Sequence, residues 1–73
     1  MDRELLKQHL DLAEKHIAEG IEHVERQRQI VEELQRGGED IRRSADLLER
    51  FEETLRTHIN ERDRLVAEVA ERF

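Results

Sequence analysis

The stretch EELQRGGEDIRR (residues 32–43) decides the fold. Gly37-Gly38 is the one strong break in a chain of 73 residues that contains no proline. Glycine ends helices by adopting the left-handed conformation, and Gly37 is placed to do so. Upstream of the break, apolar residues recur with helical period from Leu5 to Leu34; downstream they do so again from Ile41 to Val69. The pattern predicts one all-α domain over residues 1–73. Helix 1 spans about 2–36, the turn lies at 37–38, and helix 2 spans about 39–72. Asp2 is a suitable N-cap for the first helix. Glu39 and Asp40 fall in the first turn of the second, where the helix dipole favours acids.

Charge spacing supports the same elements. Glu22/Arg26, Glu32/Arg36, Asp46/Arg50, Glu52/Arg56 and Glu68/Arg72 are acid-first pairs four residues apart. Each such pair favours a helix by a few tenths of a kcal/mol.

A turn this short forces the helices antiparallel. Positions whose numbers sum to about 75 then share a level. Gly20 falls beside Leu55, Ala13 beside Arg62, Val24 beside Phe51, and Ile17 beside His58. Small residues face large ones, as interdigitating packing requires. Gln27 lies on the seam near Leu48 and resembles the polar residue that fixes register in coiled coils.

Helix 1 is apolar over an arc too wide for one partner helix. Leu5 and Leu12 lie at one edge. A column of His9, His16, His23 and Ile30 follows, and then the stripe of Leu6, Ala13 and Gly20. Two helices alone make only a strip of contact. The expectation is an antiparallel helical hairpin that dimerises into a four-helix bundle. Leu5, Leu6, His9, Leu12, Ala13, His16, Gly20, His23 and Ile30 are the expected interface residues.

The histidine column has three readings. Residues seven apart on a helix are separated by about 10.5 Å along its axis, whereas imidazole nitrogens sit only about 2.0–2.1 Å from a bound zinc. His9, His16 and His23 therefore cannot share a metal within one chain. His16 with His58 is the one pair that a metal can bridge in the hairpin. A second reading is a self-complementary seam. An antiparallel contact centred on His16 sets His9 against His23 of the mate, and protonation then repels like charges. Such a dimer loosens below about pH 6.5, where an ordinary imidazole takes up its proton. In the third reading the histidines simply fill the polar–apolar boundary of an interface.

Other classes find little support. Net charge is −6. Residues 2–36 carry nine acids and six bases, and residues 39–73 carry ten and seven, so neither half forms the basic face that phosphate neutralisation needs. No apolar run approaches the ~20 residues of a membrane span, and MDRELLKQHL lacks a signal-peptide core. With no cysteine, neither a disulfide nor a thiolate site is available. The expected location is the cytoplasm, without nucleic-acid or membrane partners. Ser44 is the only serine, with no base-and-orienter set legible around it, and no phosphate loop follows Gly37-Gly38. The chain reads as a non-enzyme that requires no cofactor.

The segments HIAEGIEHVERQRQIVEELQRGGED (16–40) and ADLLERFEETLRTHINERDRL (45–65) carry a resemblance. His16, Gly20 and His23, Arg26-Gln27-Arg28 with Ile30-Val31, and Leu47-Leu48 with Phe51-Glu52, Leu55, His58 and Arg62 to Leu65 form the pattern. It resembles that of a family of short, uncharacterised alphaproteobacterial helical-hairpin proteins of rhizobial type. The resemblance implies a natural bacterial protein and brings no activity with it. The expected role is structural or protein–protein interaction, with the chain itself as first partner and an unidentified protein as the other. The alternative is a metal- or pH-responsive module built on the histidine column and His58.

Overall fold

The computed structural model describes residues 2–73. They form two helices, α1 (Arg3–Arg36) and α2 (Arg42–Arg72), packed against each other along their length. There is no strand among the described residues. Asp2 caps α1 as its sequence position suggests: its Oδ1 accepts a hydrogen bond from the Leu5 amide at 2.8 Å. Of the acid-first pairs, Glu32–Arg36 (3.9 Å) and Glu68–Arg72 (3.4 Å) are formed.

The turn differs from expectation in two respects. Gly37 is right-handed at φ −80°, and Gly38 is the left-handed residue at φ +70°. The Glu39 amide donates to the Leu34 carbonyl (2.9 Å) and the Gly38 amide to the Gln35 carbonyl (3.1 Å). This six-to-one and five-to-two pair is the Schellman arrangement, which puts the left-handed residue one position beyond the helix cap. Helix 2 also begins later than the charge pattern suggests, at Arg42. Glu39 is occupied in closing α1. Asp40 lies ahead of the first turn rather than in it, and its Oδ1 accepts from the Arg42 amide at 3.0 Å. The acid still serves the helix N-terminus, as a side-chain cap rather than through the dipole alone.

The hairpin is a rod. Its Cα extents are 54 × 13 × 13 Å and its radius of gyration is 16.5 Å, against about 11 Å for a compact domain of this length. The core is correspondingly thin. Leu6, Ala13 and Leu65 form a buried cluster, with Leu10 and Val69 packed beside it, at the end remote from the turn. Val24 is buried nearer the turn. Between them Gly20 admits α2: a Cβ on Gly20 would stand 3.1 Å from Leu55 Cδ1.

One polar side chain is buried in the seam. Gln27 Nε2 donates to the Ser44 carbonyl at 2.9 Å, tying the middle of α1 to the first turn of α2. Among the described residues no buried side-chain nitrogen or oxygen lacks a partner. Arg62, level with Ala13, turns along its own helix to Asp63 at 2.8 Å.

Candidate functional site

Four histidines follow one groove between the helices. At its centre the His16 and His58 rings face each other across the seam, centroids 4.8 Å apart and planes tilted by 43°. Both are half-buried. Towards the turn, the His23 ring lies 5.6 Å from the Phe51 ring. Towards the open end, His9 shares a hollow of about 190 Å³ with Leu12, Ala13, His16, Glu61 and Leu65. A second hollow of about 150 Å³ is lined by His16, Glu19, Gly20, His23, Thr54 and His58. Helical spacing accounts for the alignment: a residue seven positions on returns to nearly the same face of a helix.

The groove's fixed charges are partly spoken for. Arg64 Nη2 reaches Glu61 Oε1 at 2.6 Å. That hydrogen-bonded guanidinium holds the Glu61 carboxyl below the usual carboxylate range. Slight burial opposes the shift, and the charges of Arg64 and His9 reinforce it. Glu19 is exposed at the rim of the second hollow. Among the described residues, no group of three or more His, Cys, Asp or Glu stands ready to hold a metal ion.

The nine residues expected at an intermolecular interface divide into two sets. Leu6, Ala13 and Gly20 are buried in the seam of the hairpin itself and do not face a partner. The wide arc of α1 is centred on this stripe, so α2 takes it first. Leu5, Leu12 and Ile30 are exposed, Leu12 with half its surface free (51%). His9 and His23 are exposed beside them, and His16 is half-buried between. Gly37 and Gly38 form the turn.

Leu47, which stands outside the heptad stripes of helix 2, is also an exposed large apolar residue. Positions 47, 54, 58, 61 and 65 fall on one side of α2, and four of the five line the histidine groove. On the opposite flank Ile21 and Val66 are exposed.

No helix of the described residues is long and apolar enough to cross a membrane. Comparison with protein-family models, with curated proteins and with solved structures gives no match.

Proposed function

We propose that the hairpin is a self-associating structural module that pairs through its histidine-lined face, two copies completing a four-helix bundle. One observation carries this reading. A folded chain of 8.8 kDa exposes about 4,800 Å² when compact, whereas this rod exposes 5773 Å². The excess of roughly 1,000 Å², spread along the rod, is comparable with the area of about 800 Å² that one partner contributes to a stable interface.

The histidine face is the better side for that contact. Positions 5, 9, 12, 16, 19, 23, 26 and 30 form one stripe of α1. They are Leu, His, Leu, His, Glu, His, Arg and Ile, so only Glu19 and Arg26 carry a formal charge with histidine neutral. The stripe is symmetric about a point between Ile17 and Ala18. An antiparallel α1–α1 contact centred there sets Leu5 of one copy against Ile30 of the other, His9 against Arg26, Leu12 against His23, and His16 against Glu19. A two-fold interface requires self-complementarity of this kind. On α1 the opposite flank carries Ile21 among Lys7, Glu14, Glu25 and Arg28, four formal charges against two, so closing it would bury more α1 charge.

A matched pair of variants tests the choice of face. Leu12→Glu places a charge in the proposed contact and should give the mass of one chain in sedimentation equilibrium. Ile21→Glu on the other flank should retain twice that mass. The reverse pattern would move the interface to the Ile21 side.

A further inference from the structure

We propose that His16 and His58 chelate one divalent transition-metal ion of the zinc, nickel and copper group, clipping α1 to α2. The argument begins with ring separation. Metal–nitrogen bonds of about 2.0–2.1 Å place each imidazole centroid roughly 3.2 Å from the ion, so two rings stand about 4.5 Å apart at a right angle and about 5.2 Å apart at the tetrahedral angle. The observed 4.8 Å lies between these limits.

The surroundings suit an incompletely coordinated ion. Both rings border the hollow of about 150 Å³ that Glu19 and Thr54 also line, which leaves room for water ligands. Glu19 is three residues beyond His16, on the same side of the helix. Among the described residues it does not complete a three-ligand group with His16 and His58, so the donors are two imidazoles and water. Imidazole suits borderline divalent ions, while magnesium and calcium prefer oxygen alone. His9 lies two helical turns from His16 and is excluded by distance. Its ligands come from one chain, but His16 and Glu19 also lie on the proposed pairing face, so Zn²⁺ is titrated into Leu12→Glu as well as wild type, and binding by that variant separates the site from self-association.

The test is titration of the full chain with Zn²⁺ by calorimetry and thermal melting, after treatment with EDTA. Expected are one ion per chain and a higher Tm. His16→Ala and His58→Ala should each weaken binding by about tenfold or more, since removal of even an outer-sphere partner costs about 10–100-fold. Glu19→Gln should weaken it less, and His9→Ala should leave it unchanged. Because both alanine variants also remove half-buried rings from the seam, the wild-type chain is also titrated with Ni²⁺ while its imidazole proton resonances are followed. Selective broadening of His16 and His58 supports the site. Equal broadening of all four histidines, equal binding of Mg²⁺, or no rise in Tm with Zn²⁺ overturns it. Mass measured in EDTA reports on self-association independently.

Discussion

Gly20 of α1 faces Leu55 of α2 with no room between them for an unadjusted side chain. A side chain at position 20 would meet Leu55 Cδ1 at 3.1 Å and Leu55 Cβ at 3.6 Å. The nearest atom is the far end of a flexible side chain, so a single methyl group can be accommodated by a small shift. Gly20→Ala also gains about 0.8–1 kcal/mol of helix propensity. The two effects nearly cancel, and the unfolding free energy should stay within about 1 kcal/mol of wild type. Gly20→Val leaves no such room and should cost about 1–3 kcal/mol by overpacking. Urea unfolding followed by circular dichroism measures both.

The two turn glycines should respond oppositely to the same substitution. Gly37 is right-handed, and a Cβ there meets its neighbours at ordinary contact distances of 3.6–3.7 Å. Gly37→Ala should stabilise by about 0.4–1 kcal/mol by restricting the unfolded chain. Gly38 has open space around it but φ +70°. Gly38→Ala should therefore cost about 1–2 kcal/mol, and Gly38→Asn distinctly less. Chemical denaturation of the three variants decides; equal effects at 37 and 38 would contradict the turn geometry.

Gln27 is the polar tie between the helices. Gln27→Ala removes the bond to the Ser44 carbonyl and opens a gap in the seam, and should cost about 1–3 kcal/mol. Gln27→Leu keeps the volume and should cost less than Gln27→Ala. Amide hydrogen exchange should show the loss first in the turn-proximal half of α2.

Asp40 supplies an acid-sensitive contribution to the turn. Its carboxyl is held below the ordinary aspartate value of 3.8 by the Arg42 side chain first and the Arg42 amide second, with burial slightly opposed. Because the folded value is the lower one, the stabilisation is complete above 3.8 and is lost as pH falls through the folded value. Asp40→Asn should lower the Tm at pH 7, and the difference from wild type should shrink under strongly acidic conditions. A constant difference across that range would show that the carboxylate charge plays no part.

Much of this architecture is legible in the sequence because a short turn leaves few degrees of freedom. Once Gly37-Gly38 is read as the bend, the antiparallel levels follow, and Gly20 with Leu55 and His16 with His58 are adjacent as those levels require. The turn's detail is not legible, because either glycine can adopt the left-handed conformation and only the hydrogen bonds of Gly38 and Glu39 select one. The division of α1's arc is also hidden. Leu6, Ala13 and Gly20 have the same apolar character as Leu5 and Leu12, and only the position of α2 separates seam from surface. Leu47 is legible as an apolar residue off the seam of helix 2, and the structure places it exposed on the side of α2 that borders the groove.

The most direct test of the central claim is the mass of the wild-type chain in solution, by sedimentation equilibrium at micromolar concentration and pH 8 in EDTA. The account predicts twice the 8.8 kDa of one chain. A stable species at the mass of one chain across the concentration range would contradict it.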